Sequence, residues 1–258
     1  FLVVTVVVAS ATTYYWLKQL ESKMQLKPEE AQKLSKVVTK PQANIWNLLL
    51  VGTDKRPGWQ SSRADTIIFA SLNFDTKKAY LLSIPRDSRV AIPGRGLDKI
   101  NHAWAFGKAP LLIKTVQNFL GLPVNYFLQL DFASFEKTVD AIGGVDFAVS
   151  QGWYDGELGV EVRSGLMHRY GKEALALVRS RKFAAGDFSR IQHQQQFLQA
   201  VAQQVLTNYS DIPHIANIVA SYAATNMSLG EMLKVGQNFR NSGFKLQMAT
   251  MPGKPGML

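Results

Sequence analysis

The chain of 258 residues contains no cysteine, which excludes disulfide cross-links, thiolate catalysis and cysteine-based zinc sites together. The absence leaves the compartment open, because an oxidising compartment permits disulfides without requiring them. Histidine is scarce too: the four present stand at no metal-ligand spacing from one another. No internal repeat or low-complexity tract is visible, which argues against solenoid and disordered classes. Also missing are a Lys/Arg block, a helix with a continuous basic face and zinc-finger spacing, so nucleic acid is the weaker use of the formal charge of +10. That charge equally suits an anionic membrane surface or an anionic polymer.

What is present suffices for one sizeable core: 47% of the residues are hydrophobic and 19% charged, as in a single globular domain. Asp54 follows the apolar run Ile45 to Val51, Arg63 and Asp65 precede Thr66 to Leu72, and Arg86 follows Ala79 to Ile84. These runs are short, bounded by turn residues and rich in Ile, Leu, Val, Phe and Tyr, which reads as buried strands. Asn73 to Lys78 is short enough for a hairpin, so the second and third strands run antiparallel and bring Asp65 and Arg86 to one sheet edge. If Gly52 to Ala64 also reverses the chain, Asp54 reaches the same edge. Guanidinium groups bind phosphate oxygens bidentately at any working pH, and paired carboxylates suit a magnesium ion shared with a phosphorylated substrate. The competing reading is charge that merely flanks buried strands.

Downstream, Pro110 to Leu120 reads as a helix stopped by Gly121, Val124 to Leu130 as a strand, Phe132 to Ile142 as a helix ended by Gly143-Gly144, and Val145 to Val149 as a strand. The alternation predicts an α/β fold, a layered αβα domain with a mixed, partly antiparallel central sheet. Lys172 to Arg179 reads as a helix with Arg179 and Arg181 at or just past its end. Two residues apart, they share no regular helix face, so a helix-to-loop transition is needed to aim both at one ligand. In the next helix, about Asp187 to Asn208, Asp187, Arg190 and Gln194 fall on one face. A solvated stripe is the plain alternative there. Ser228 and Glu231 form a capping box, and Phe244 to Thr250 reads as a late strand. Lys99 is a candidate phosphate contact, whereas His102 reads better as an exposed ring.

Phe1 to Leu17 carries no charge, and Tyr14, Tyr15 and Trp16 cluster just before Lys18. This reads as the last part of a transmembrane helix, residues 1–17, with a juxtamembrane spacer at 18–43 and an extracytoplasmic domain at 44–258. A cleaved signal peptide with Ala9-Ser-Ala11 as its small-residue site, and a buried core helix, are the alternatives.

Val51-Gly-Thr-Asp54, Arg63-Ala-Asp65-Thr66, Leu82-Ser-Ile-Pro-Arg-Asp87, Lys99-Ile-Asn101, Asp140-Ala-Ile-Gly-Gly-Val145, Val178-Arg-Ser-Arg181 and Asp187-Phe-Ser-Arg190 stand in an order that resembles the LytR-CpsA-Psr (LCP) family. The resemblance spans roughly Asn44 to Leu206. It implies the LCP fold and a membrane-anchored, single-pass phosphotransferase of the bacterial envelope. Such an enzyme moves a glycopolymer from a polyprenyl-pyrophosphate carrier to peptidoglycan at the outer face of the cytoplasmic membrane. By the same resemblance, Asp54 and Asp65 hold magnesium, and Arg63, Arg86, Arg179, Arg181 and Arg190, with Gln194, surround the pyrophosphate, to which Lys99 is added as a candidate contact. Arg63, Asp65, Arg86 and Arg181 carry the catalysis, and Asp65, Asp87 and Asp187 are the candidate bases. Phe119, Phe127, Phe135 and Phe197 are candidates to line a lipid tunnel. Two positions depart from the family pattern: His193 replaces a common arginine, and Lys108 follows Gly107 where a second glycine is common.

The alternatives are a polyprenyl-pyrophosphate hydrolase, with water in place of the sugar hydroxyl, a non-catalytic regulator that binds DNA, and an envelope scaffold. The transmembrane reading argues against DNA.

Overall fold

A computed structural model of the chain describes residues 26, 28–42, 44–54, 62–180, 187–207, 223–242 and 245–253. Its first elements are helix α1 (Pro28–Ser35), strands β1 (Ile45–Thr53), β2 (Ala64–Asn73), β3 (Lys78–Ser83), β4 (Arg89–Ile92) and β5 (Gly96–Lys99), and helix α2 (Ile100–Leu120). Next come β6 (Tyr126–Asp131), α3 (Phe132–Ala141), β7 (Val145–Val149), β8 (Trp153–Asp155), β9 (Val160–Val162) and β10 (Gly165–Arg169). The chain continues through α4 (Gly171–Arg179), α5 (Asp187–Thr207), β11 (Ala224–Thr225), α6 (Leu229–Ser242) and β12 (Lys245–Thr250).

Among the described residues the central sheet runs β11-β6-β1-β2-β3-β12. β1, β2 and β3 form an antiparallel meander, whereas β6 joins β1 and β12 joins β3 in parallel, so the sheet is mixed as expected. Side chains alternate across it. Leu49, Val51, Ile67 and Phe69 face one core, filled from α2 by Leu112, Ile113 and Val116. Trp46, Leu48, Ala70 and Leu72 face the other, closed by Met232 and Val235 of α6. Leu112 and Ile113 are fully buried, and each stabilises the fold by about 1.5–3 kcal/mol. A third core lies under α3, α4 and α5, where Val139, Leu177 and Phe197 meet Phe147 of β7.

Local signals set the end of α2 and the starts of α3 and α6. α2 stops at Gly121, whose left-handed φ of 66° closes the helix through its N–H to the Gln117 carbonyl. Asp131 caps α3 by accepting from Ser134 N at 2.9 Å. Tyr170 offers α4 no side-chain cap, and Asp140 of α3 supplies one instead, accepting from Gly171 N at 2.7 Å. The expected capping box opens α6: Ser228 N donates to Glu231 Oε2 at 2.7 Å and Glu231 N to Ser228 Oγ at 3.2 Å.

The helix read at Pro110 to Leu120 extends back to Ile100 through a kink, with Gly107 at φ −146° and Lys108 at φ 53°, ψ −149°. A Cβ on Gly107 would lie 2.5 Å from Leu111 Cβ. In the stretch read as a spacer, Leu34 of α1 is 2% exposed and packs into the first core. Thr39 N bonds the Val124 carbonyl at 3.0 Å, so this part of the chain docks on the body of the domain. Phe1 to Leu17 and Arg181 lie outside the described residues, among which no helix is long and apolar enough to cross a membrane.

Candidate active site

The end of the β1–β2 pair builds the first wall. Register shifts between Gly52 and Thr53: Gly52 pairs with Thr66 and Thr53 with Ala64, so Asp65 is the extra, bulged residue of β2, and Gly52 lies close against Thr66. Gly52 permits this approach, since a Cβ would meet Thr66 Cβ at 3.0 Å. Asp54 N then bonds the Arg63 carbonyl at 3.2 Å, and Arg63 N donates back to Asp54 Oδ1. Arg86, in the turn after β3, donates through Nη1 to Asp65 Oδ1. The structure thus brings Asp54, Arg63, Asp65 and Arg86 to one sheet edge.

A cavity of about 220 Å³ opens at this edge, lined by Asp54 and Asp65 from the sheet, Arg179 from α4, and Arg190 and Gln194 from α5. Thr66, Phe132, Leu175 and Val178 complete its wall. Arg190 is 3% exposed, and Gln194 Nε2 donates to the Val178 carbonyl at 3.0 Å, clamping the end of α4 to α5. Arg179 is the last residue of α4 and turns into the cavity where the helix gives way to extended backbone at Ser180. Asp187 opens α5, and its side chain lies outside the described part.

Other sequence candidates stand farther back. Asp87 Oδ2 lies 3.5 Å from Arg86 Nε and its Oδ1 3.1 Å from Lys99 Nζ, so Asp65, Arg86, Asp87 and Lys99 form a row of alternating charge leading away from the cavity. Arg63 is exposed and absent from the cavity lining, its main chain bonded to Asp54. His102 is half-buried, 2.9 Å from both oxygens of Asp98, and is absent from the cavity wall. His193 turns its ring toward Phe147, 6.5 Å between centroids, and burial pushes its pKa down, so the position supplies no cation to the cavity. Among the candidate bases, Asp65 lines the cavity, whereas Asp87 is committed to Arg86 and Lys99.

A second cavity, also about 220 Å³, shares Asp65, Thr66, Phe132, Leu175, Val178 and Gln194 with the first. Beyond this shared wall its lining is mainly apolar: Leu50, Val51 and Ile68 from the sheet, Leu128 and Leu130 from β6, Phe135 from α3, Phe197 and Leu198 from α5, with Thr53 and Asp131 as polar members. Of the four phenylalanines proposed for a tunnel, Phe135 and Phe197 line it. The other two do not: Phe127 is 1% exposed in the first core, and Phe119 is 40% exposed on α2, where it is absent from the lining.

Sequence reasoning missed Phe132 and Glu157. Arg179 donates through Nη2 to Glu157 in the β8–β9 turn, and its Cζ lies 5.5 Å from the Phe132 ring centroid. A Gly-Glu-Leu-Gly turn looks like any exposed turn, and only the tertiary arrangement carries it to the end of α4.

Two carboxylates and two guanidiniums around one cavity suit a cation bridging to phosphate. Asp54 and Asp65 each use Oδ1 in the bonds above, and a carboxylate has two oxygens to offer. Mg²⁺ is typically held by one or two carboxylates plus substrate phosphates and water, so these residues fit it.

Comparison with known proteins identifies relatives of the chain. The chain is 36% identical over 221 residues to the polyisoprenyl-teichoic acid–peptidoglycan teichoic acid transferase TagU of Halalkalibacterium halodurans, covering 81% of this chain and 70% of that one. The crystal structure of Bacillus subtilis TagV superposes with a TM-score of 0.73 at 29% identity, over 83% of this chain and 87% of TagV. A structure of TagT bound to LI-WTA superposes with a TM-score of 0.69 at 28% identity, over 85% of this chain and 84% of TagT. The profile of the LytR_cpsA_psr family matches residues 11–258, and the chain belongs to that family.

Proposed function

We propose that this protein transfers a phosphoglycopolymer from a polyprenyl-pyrophosphate carrier to a hydroxyl of peptidoglycan at the outer face of the cytoplasmic membrane. The observation that carries the reading is the shared wall: a cavity with Arg179, Arg190, Asp54 and Asp65 opens beside an apolar one lined by Leu128, Leu130 and Phe197. That pairing matches a ligand with a charged head and a hydrocarbon tail. The transferase named in the relative TagU supports the acceptor. Phe1 to Leu17 holds the domain at the membrane in this reading, as its uncharged run and aromatic cluster suggest.

In the reaction the acceptor oxygen attacks the phosphorus that carries the polymer, the pyrophosphate bond breaks, and lipid monophosphate leaves. Negative charge builds on the equatorial and leaving oxygens, and guanidiniums fixed beforehand stabilise it. Arg179 and Arg190 lie where they would contact these oxygens, and Arg63, Arg181 and Lys99 are further candidates by sequence for phosphate contact. Arg86 orients Asp65. Asp54 and Asp65 would hold Mg²⁺, which when bound neutralises pyrophosphate charge.

Incubation of the protein with lipid-pyrophosphate-linked polymer, Mg²⁺ and peptidoglycan tests the proposal. Equal amounts of attached polymer and released lipid phosphate are expected. Lipid phosphate released with no polymer attached would establish the hydrolase instead.

A further inference from the structure

Arg179 is held from two sides by parts of the chain distant in sequence. On one side is the ring of Phe132, a residue of both cavity walls, with Arg179 Cζ 5.5 Å from its centroid. On the other is Glu157, which accepts from Arg179 Nη2. Glu157 does not hang from a loose turn. Asp155 Oδ1 accepts from both Glu157 N and Leu158 N at 3.1 Å, and Leu158 packs against the third core. The β8–β9 turn is thereby pinned, and it presents the carboxylate at a set place.

A guanidinium has five N–H donors in a rigid fork. Engaging one nitrogen on Glu157 while Phe132 supports the plane fixes the fork's rotation, and the remaining donors are available to a ligand in the cavity. An arginine without such support loses its rotamer freedom on binding, which weakens the complex. A nearby carboxylate also reduces an arginine's pull on an anion, so the direction of the effect separates orientation from competition.

We propose that Glu157 is a positioning residue for the transfer reaction, aiming Arg179 at the pyrophosphate from the β8–β9 turn. The inference rests on the reading of the cavity as a pyrophosphate site. It requires that loss of the Glu157 side chain act through Arg179 alone.

The test is a double-mutant cycle on the full chain with Mg²⁺, with calorimetric binding of inorganic pyrophosphate as readout and Tm measured for every variant. Glu157→Ala is expected to weaken binding by about tenfold, the worth of one oriented contact, with Tm nearly unchanged. Glu157→Gln stays within about threefold of the wild type, because its amide oxygen accepts the same N–H. In an Arg179→Ala background, Glu157→Ala has no further effect. Unchanged or tighter binding by Glu157→Ala, or an equal loss in the Arg179→Ala background, would overturn the proposal while leaving the site reading intact. If Arg179→Ala binds pyrophosphate as the wild type does, or the wild type does not bind it, the site reading fails and this inference with it.

Discussion

Arg86 donates through Nη1 to Asp65 Oδ1, tying the turn after β3 to the start of β2 at the cavity wall. The side chains are 14% and 24% exposed, so this pair is less screened than a surface ion pair. Its role is to fix the carboxylate that lines the cavity while Asp87 and Lys99 continue the row behind it.

Arg86→Ala is therefore expected to lower kcat/KM by about 100-fold or more, the range seen when an oriented charge is removed from a site. Arg86→Lys does not restore the rate, because an ammonium cannot engage Asp65 and Asp87 through separate nitrogens of one plane. Steady-state transfer assays on the two variants check this, and full activity in Arg86→Lys would contradict it.

Removal of divalent metal with a chelator is expected to abolish transfer, with recovery on adding Mg²⁺. In Asp54→Asn the Mg²⁺ concentration for half-maximal rate rises by about tenfold or more, since a charged ligand becomes neutral. A metal titration of wild type and variant is the measurement. Identical curves would remove Asp54 from the metal site.

Lys108 holds φ 53° and ψ −149° at the kink in α2, a region that only glycine occupies without strain, at a cost of about 1–3 kcal/mol for other residues. Lys108→Gly is expected to stabilise the protein by about 1 kcal/mol after the greater freedom of unfolded glycine is subtracted. Lys108→Ala keeps the Cβ and gives no such gain. Urea unfolding midpoints distinguish the two, and equal midpoints would place the strain elsewhere.

Two histidines give opposite pH dependences. His168 Nε2 lies 2.6 Å from the Gly143 carbonyl and Nδ1 2.7 Å from Asp146 Oδ1. Both partners are acceptors, so the protonated ring satisfies both bonds. The Asp146 bond first, then the Gly143 carbonyl, raise the His168 pKa. Its stabilisation is complete below the unfolded pKa of about 6.5 and disappears as pH rises through the higher folded value. Burial lowers the His193 pKa, so the unfolded chain takes that proton first and stability falls as pH drops from about 6.5 toward the lower folded value. Tm measured between about pH 5 and 8 is expected to lose its alkaline decline in His168→Asn and its acid decline in His193→Phe. A His168→Asn profile parallel to the wild type would refute the assignment.

The meander was legible because β1, β2 and β3 are short apolar runs joined by short polar connections, and its geometry required Asp65 and Arg86 to meet. Arg190 and Gln194 were legible as one helix face. Three features were not. The β4–β5 and β8–β9 hairpins have strands of four and three residues, too short for alternation to stand out. The α2 segment before Gly107 mixes Asn101, His102 and Trp104 with alanines, and its burial comes from tertiary packing rather than from periodicity. Leu34 is a lone apolar contact in a polar helix, so a sequence stripe had nothing to show. Conversely, Lys108 stood out in the sequence as a missing glycine, and the positive φ supplies the physical reason.

Under the proposed function, the wall shared by the two cavities would act as a gauge along the ligand. Phe132, Leu175 and Val178 stand where charge gives way to hydrocarbon. On that reading a molecule would seat correctly when its own junction between phosphate and lipid reached that line, whatever sugars followed on the far side. Selection by such a wall is selection by where solubility changes along a chain, and it leaves the identity of the polymer to be read, if at all, outside these two cavities.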